Sequence, residues 1–456
     1  MLTRRMKKKY FLNFTSTVFI IVGLVIGVFL VQRAVRFFSG AANIPANLVI
    51  NMATTQEQQA DAWRNLAQGG EERGRMLEPV IPQVKLLKPE YIRIDHVFDF
   101  YDQKMLDNVI EDITSSGAKP FIALSYMPPE LSKNGDVTDL PRNWVDWEDR
   151  VQNLVEHVSG KSGLNISDVY YEVWNEPDLF GNFKLRGDKS YLELYLHSAK
   201  GALRAKNTLP YKFGGPAVTA FYPNWMTGLL DYVADNNLPL DFLSWHKYSK
   251  DVSVFETDAK NAKEILAKYG RTKTELIITE MGPNSANDTV YDTTFAAIHQ
   301  IAVSSVLQGL VSKAFAFEIK DGLGDKQYWG RWGLYTHEKF GKPVAKPRAD
   351  AFTFLNTMIG GTKIDVTGQG SWVKSFAKKT SPTTTKVLVV NYDPAGIHNE
   401  LVPITLTNLY FPNFTLKRTD FMGTTTSQEV ATVSATWSTT AYFKPNSASI
   451  IEIIKK

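Results

Sequence analysis

Two glutamates, Glu176 and Glu280, close apolar runs of strand character: VYYEVWNEPDL at 169–179 and ELIITEMGP at 275–283. Each run stops beside residues suited to the start of a loop, Asn175 and Pro177 in the first and Gly282 in the second. Two carboxylates at strand ends are what glycosidic-bond cleavage requires. One protonates the leaving oxygen, and the other attacks the sugar or activates a water. The chemistry therefore demands a scaffold that brings two residues distant in sequence to one place.

The intervening pattern supplies one. Strand-like runs at 47–53, 91–95, 119–125, 169–174, 211–213, 241–245, 275–279 and 313–319 alternate with helix-like segments at about 76–88, 102–116, 146–159, 189–206, 224–236, 255–269, 292–307 and 346–358. In 102–116 the apolar residues Met105, Val109, Ile110 and Ile113 recur at helical spacing. Eight strand–helix units predict an α/β chain folded as a (β/α)8 TIM barrel over 41–360, with an open doubly wound sheet as the alternative. Glu176 then follows strand four and Glu280 strand seven, both on the C-terminal face where active sites of this fold lie. From residue 361 to 456 the composition shifts to Thr, Ser and Val in short runs such as 386–392, 402–406 and 449–454, which predicts a small β-sandwich. No aromatic platform stands out in that segment, so it is expected to buttress the barrel.

Residues 1–40 form a separate region. Seven basic residues and no acidic ones fall in 1–36, and 11–31 is almost wholly apolar, long enough for a membrane-spanning helix. Five basic residues precede the run and two follow it, which predicts a cytoplasmic N-terminus and an extracytoplasmic catalytic domain. A cleaved signal peptide near 39–42, giving a secreted protein, is the competing expectation. Removing the seven leaves 44 basic against 47 acidic residues, so the body needs no basic face and nucleic acid is not an expected partner. The absence of cysteine excludes disulfides, thiolate nucleophiles and Cys-ligated zinc. No phosphate loop, G-x-G-x-x-G or H-E-x-x-H occurs, and neither metal nor cofactor is expected.

The stretches Val173-Trp174-Asn175-Glu176-Pro177, Ile278-Thr279-Glu280, Tyr91-Ile92-Arg93 and Ser244-Trp245-His246-Lys247-Tyr248 resemble the clan A retaining glycoside hydrolases. Within that clan the chain is most similar to family 39, which includes β-xylosidases, α-iduronidases and exopolysaccharide hydrolases. The resemblance covers 47–456 in outline and implies that Glu176 is the acid/base and Glu280 the nucleophile. It further implies that Asn175 binds the sugar 2-hydroxyl, that Arg93 orients Glu280 and keeps it charged, and that His246 and Tyr248 line the cleft floor. Glu172, four residues before Glu176 in a strand, shares its face and suits an interior partner for Arg93.

One departure from the clan pattern concerns the end of strand eight, where a Trp is common beneath the reactive sugar. Here the chain reads Phe315-Ala316-Phe317-Glu318-Ile319-Lys320-Asp321, so Phe317 or a loop residue, Trp332 or Trp329, is expected to form the platform. Aromatic residues such as Tyr126, Trp144 and Tyr328 on or near the long loops favour an oligo- or polysaccharide substrate. The expected activity is O-glycosyl hydrolysis by double displacement. Transglycosylation from the same site and noncatalytic, membrane-tethered glycan binding are the alternatives.

Overall fold

The computed structural model describes residues 43–69 and 72–456. The apolar run at 11–31 lies outside the described residues. Among the described residues no helix is long and apolar enough to cross a membrane.

A closed barrel is formed by β2 (Asn65–Gln68), β3 (Tyr91–Ile94), β4 (Lys119–Leu124), β5 (Val169–Val173), β6 (Tyr211–Val218), β7 (Phe242–Tyr248), β8 (Glu275–Gly282) and β9 (Lys313–Phe317). All neighbours are parallel, and β9 closes onto β2 with Phe315 opposite Asn65. The crossovers carry α1 (Ile81–Leu86), α2 (Gln103–Ser115), α3 (Trp144–Ser159), α4 (Tyr191–Arg204), α5 (Pro223–Asp235), α6 (Ser253–Lys268) and α7 (Thr294–Val306), with α8 (Pro347–Asn356) after β9. Asp102 shows how sequence starts one of them: its side chain accepts from the Met105 amide at 2.8 Å, and Leu106, Val109, Ile110 and Ile113 then bury one face of α2.

The first barrel strand corrects the sequence reading. Residues 47–53, whose apolar run predicts the first barrel strand, hold β1 (Leu48–Asn51), which belongs to the other domain. It pairs in parallel with β14 (Glu400–Thr407), Leu48 opposite Ile404. The true first strand is NLAQ at 65–68, a four-residue stretch with polar ends. Its Asn65 and Gln68 are buried because each finds a main-chain acceptor, Ala62 O at 2.9 Å and Lys320 O at 3.3 Å respectively. A hydrophobicity count cannot see such a strand, since Gln68 meets its partners on Glu318 and Lys320 only after folding.

The remaining strands form two packed sheets, confirming a sandwich. One has the order β11 (Val366–Thr367), β1, β14, β17 (Trp437–Phe443). The other has the order β10 (Thr362–Ile364), β12 (Val373–Ser381), β13 (Thr384–Asn391), β18 (Ser447–Lys455), β15 (Asn413–Asp420), β16 (Thr425–Ala431). In β13 the run Val387-Leu388-Val389-Val390 is buried on both faces. Val387 and Val389 enter the sandwich core, whereas Leu388 and Val390 join the barrel's core cluster with Phe376 and Ile450. Helix α7 lies beneath this sheet, which explains why every residue from Ala296 to Val306 is buried. A buried ion pair between Lys378 and Asp61, and the Tyr392 hydroxyl donating to Lys250 O at 2.6 Å, fasten the two units.

Inside the barrel, Phe121, Tyr170, Phe242, Ile277 and Phe315 fill the lower layers. Below them Glu275 accepts from the Tyr170 hydroxyl at 2.8 Å and from Lys313 at 3.0 Å, and pairs with Lys212. Burial works to raise its carboxyl, but Lys313 and the hydrogen bonds from Lys212 and Tyr170 outweigh it and hold Glu275 at about 2, below the ordinary 4.5. A depressed carboxyl contributes stability above its unfolded value, lost as pH falls through the folded one. Glu275→Gln is therefore expected to flatten the fall in unfolding free energy between about pH 5 and pH 2, a difference on the order of 3 kcal/mol. Urea titrations across that range check it, and parallel curves for both proteins would refute it.

Candidate active site

The C-terminal mouth of the barrel opens into a cavity of about 790 Å³, within the range of small-ligand sites. Glu176, Glu280, Asn175, Tyr248, Phe317 and Trp332 line it. Arg93 and His246 stand behind that lining, both fully buried. The structure thus brings all eight sequence-predicted residues into one cluster.

Arg93, pointing inward from β3, ties the cluster together. Its Nε donates to Glu172 Oε2 at 2.8 Å, one terminal nitrogen to Glu280 Oε1 at 3.0 Å and the other to Asn175 Oδ1 at 2.7 Å. Three strands are thereby fixed by one planar fork, a geometry that lysine's single ammonium cannot reproduce. Glu172, the interior partner anticipated from its strand position, is completely buried. Asn175 in turn donates to the Tyr126 hydroxyl at 2.8 Å, and the Tyr248 hydroxyl donates to Glu280 Oε2 at 2.8 Å.

Local backbone geometry aims the two glutamates. After β5 the chain turns through Trp174 at φ +71° and Glu176 at φ +47°, left-handed conformations that side chains with a Cβ rarely adopt. The cost is about 1–3 kcal/mol each and is offset by packing. Trp174 donates its indole N–H to Phe180 O at 2.9 Å and sits among Tyr126, Trp147 and Phe183, while the Glu176 amide donates to Ala217 O at 2.9 Å. For Glu280 the device is a bulge: Trp245 pairs with Ile278, but His246 pairs with Glu280, so Thr279 is an extra residue in β8. Strict alternation from inward-facing Ile277 would have turned Thr279 inward instead. The bulge re-aims the strand and sets Glu280 beside His246.

His246 bridges the carboxylates. Its Nδ1 lies 2.8 Å from Glu176 Oε1 and 3.6 Å from Glu280 Oε2, and one oxygen of each glutamate falls within 4.8 Å of the other. Burial pulls the imidazole down, yet Glu280 and the hydrogen bond to Glu176 raise it above the ordinary histidine value. Burial raises the Glu280 carboxyl above its usual range, with His246 and Arg93 pulling the other way. Tyr248 is raised well above a free phenol, first by burial and then by Glu280, so it serves as a proton-bearing donor.

The loop after β9 forms the opposite wall. Buried Lys346 holds it by donating to Asp321 at 2.9 Å and to Arg331 O at 2.7 Å. Arg331 donates to Glu318 Oε1 at 2.9 Å and lies 3.8 Å from the centre of the Trp332 ring. Phe317 packs against Trp332 with ring centres 5.2 Å apart. It also occupies space that only glycine leaves open, since a Cβ on Gly69 would meet its ring at 2.9 Å. Lys320, Glu318 and Asp321 are spent on structure: Lys320 pairs with Glu72 and Glu338, Glu318 with Arg331, and Asp321 with Lys346.

Sequence reasoning missed Asp95, Asp178, Leu179, Phe180 and Arg331, which also line the cavity. Asp95 had a usable signal, standing two positions beyond Arg93 along an extended segment and so on the same face. Two His–Glu groups, Glu176/His246/Glu280 and Glu72/His337/Glu338, bring ligand-type atoms within 4.8 Å. In each a buried cation, Arg93 or Lys320, already donates to a carboxylate, so a metal ion would meet like charge.

A family model described as glycosyl hydrolases family 39 matches residues 90–391. A β-xylosidase from Caldicellulosiruptor saccharolyticus is 31% identical over 183 residues, 38% of this chain and 36% of that protein. Another from Geobacillus stearothermophilus is 24% identical over 291 residues, 57% of this chain and 56% of that one. The chain thus matches about a third to a half of the length of these relatives. Among solved structures, a monomeric β-xylosidase from Caulobacter crescentus CB15 superposes with a TM-score of 0.72 at 18% identity, covering 90% of this chain and 99% of its own. The GH39 enzyme from Xanthomonas axonopodis pv. citri gives 0.70 at 18% identity, covering 90% and 98%. At that identity these two likenesses concern the fold.

A neighbouring cation favours the ionised carboxylate, so removing one raises its pKa. His246→Gln is expected to move the Glu280 titration to higher pH, read as the midpoint of the ¹³C-carboxyl NMR shift of labelled Glu280. An unchanged or lower midpoint would show that His246 does not act on Glu280 as a cation.

Proposed function

The chain belongs to glycosyl hydrolase family 39, and from that premise we propose that it is a retaining, xylosidase-like O-glycosyl hydrolase acting on an oligo- or polysaccharide. The observation that carries this reading is the approach of the two carboxylates. One oxygen of Glu176 lies within 4.8 Å of one of Glu280. Retaining enzymes hold the pair about 5–5.5 Å apart, whereas inverting ones leave about 6.5–9.5 Å for a water.

In the proposed reaction Glu176, protonated, gives its proton to the glycosidic oxygen as the bond to C1 breaks. Glu280 attacks C1 from the opposite face and forms a covalent glycosyl ester. Glu176, now a carboxylate, takes a proton from water, which attacks C1 and releases Glu280. Arg93 and Tyr248 each hold one oxygen of Glu280 by a hydrogen bond, presenting the nucleophile in one orientation. Nδ1 of His246 steadies Glu176 from below. Asn175 is held by Arg93 and Tyr126, which leaves its amide oriented toward the sugar 2-hydroxyl, a contact that strengthens as the oxocarbenium-like state forms. Phe317 and Trp332 offer apolar faces to the ring. An extracytoplasmic setting is part of the same proposal and rests on the basic and apolar pattern of residues 1–36 alone.

A panel of 4-nitrophenyl glycosides (β-D-xyloside, β-D-glucoside, α-L-arabinofuranoside, α-L-iduronide) with ¹H NMR of the first-formed sugar tests the reading. Product of retained anomeric configuration is expected. Glu176→Ala is expected to lower turnover of an oligosaccharide about 10²–10⁴-fold and to make a glycosyl azide of retained configuration when azide is added. Glu280→Ala should be inactive with no such product. An inverted first product, or equal activity in both variants, would overturn the assignment.

A further inference from the structure

Asp95 follows β3 and lines the cavity, yet it is only 7% exposed. Among the described residues no hydrogen-bond donor meets its carboxylate. The other carboxylates of the cavity are all engaged. Glu280 is held by Arg93 and Tyr248, Glu176 by His246, and Asp178 by the Thr219 amide at 3.0 Å and the Thr219 hydroxyl. The cations of the same wall hold carboxylates of their own, Arg331 with Glu318 and Lys247 with Asp258. Arg93 attracts this carboxylate through space, but no donor caps its two oxygens, which face the cavity and stand open to the hydroxyls of a ligand.

Its position limits what that can be. Oδ1 of Asp95 lies beside Gly69 and the edge of Phe317, since a Cβ placed on Gly69 would be 2.9 Å from the Phe317 ring and 3.9 Å from Oδ1. Asp95 also shares the inward face of its strand with Arg93, the residue that positions Asn175 and Glu280. With C1 of a sugar at Glu280 and its 2-hydroxyl at Asn175, Asp95 at the edge of Phe317 is the cavity carboxylate left free for the remaining ring hydroxyls. A carboxylate has two oxygens and about four lone-pair sites, and so can accept from two adjacent hydroxyls at once. It repels a second carboxylate at the same spot.

We infer that Asp95 determines specificity in the reactive subsite by accepting hydrogen bonds from the 3- and 4-hydroxyls of a neutral pyranose, and that this edge of the subsite excludes a sugar acid. The inference rests on the glycosidase reading above and names the sugar class for that site. It gives Asp95 a role distinct from Glu176 and Glu280, because it touches hydroxyls that do not change during the reaction.

The test compares kcat/KM of the full chain and of Asp95→Ala on the best aryl glycoside of the panel and on its 3-deoxy, 4-deoxy and 3,4-dideoxy analogues. A charge-assisted hydrogen bond is worth about tenfold to a hundredfold, so Asp95→Ala should lose that much on the parent sugar. The loss should be smaller on each mono-deoxy analogue, which keeps one of the two hydroxyls, and should shrink to less than about threefold on the 3,4-dideoxy sugar, which keeps neither. Asp95→Asn, which keeps the shape and one acceptor, should fall between the two and guards against a folding defect. A uniform loss across parent and analogues would make Asp95 structural and overturn the inference, as would a wild-type preference for the aryl uronide or an amino sugar over the neutral glycoside. Inactivity of the wild type toward the whole panel would instead overturn the glycosidase reading and this one with it. An active chain indifferent to Asp95→Ala would overturn this one alone.

Discussion

A single buried guanidinium governs the mouth of this barrel. Arg93 is taken wholly out of water and recovers the loss through hydrogen bonds to Glu172, Asn175 and Glu280 on neighbouring parts of the wall. Removing one member of such a buried set typically costs about 3–5 kcal/mol, because the others are left charged and unpaired. The arrangement is therefore close to all-or-none. Because every partner of Arg93 is a residue of the proposed chemistry or its direct support, the energetics of the fold and the geometry of the site are the same set of bonds.

Around that cation the electrostatics are finely opposed. Burial raises Glu280, while Arg93 and His246 pull it down, and His246 is itself raised by the two glutamates it separates. None of these groups titrates independently of the others, which suits a site where one carboxylate must hold a proton while its neighbour is ionised. The opposing wall is built differently. There Lys346 and Arg331 fix a long loop, and Phe317 and Trp332 present ring faces. Charge is concentrated where bonds would break, and apolar surface where a ring would rest.

The sandwich supports this arrangement from outside. Strands β12, β13 and β18 of its six-stranded sheet bury apolar residues on both faces, one closing the sandwich and the other packing onto the barrel at α7. Strand β1 extends that union to the N-terminal side of the barrel, since the chain contributes to the sandwich before it enters the barrel. The two units are thus laced together by the chain's path as well as by packing.

Much of this was legible from residue order. The alternation of strand and helix, the two glutamates at the C-terminal ends of strands four and seven, the Asn175-Glu176-Pro177 step and the all-β C-terminal segment all follow from local periodicity and residue type, which depend on neighbours a few positions away. Other features depended on contacts between distant segments. The polar strand 65–68 is invisible beside the apolar 47–53 because Gln68 exchanges hydrogen bonds with the Lys320 main chain only in the closed barrel. The bulge at Thr279, which turns Glu280 inward, exists only in register with β7. Asp95 carried no sign of being unpartnered until the cavity wall was assembled. The sequence by itself determined which chemical groups the protein possesses and the rhythm of its elements. Only the tertiary structure decided which of those groups find partners and which are left facing the cavity, because hydrogen-bond satisfaction is a property of the closed fold and not of the chain.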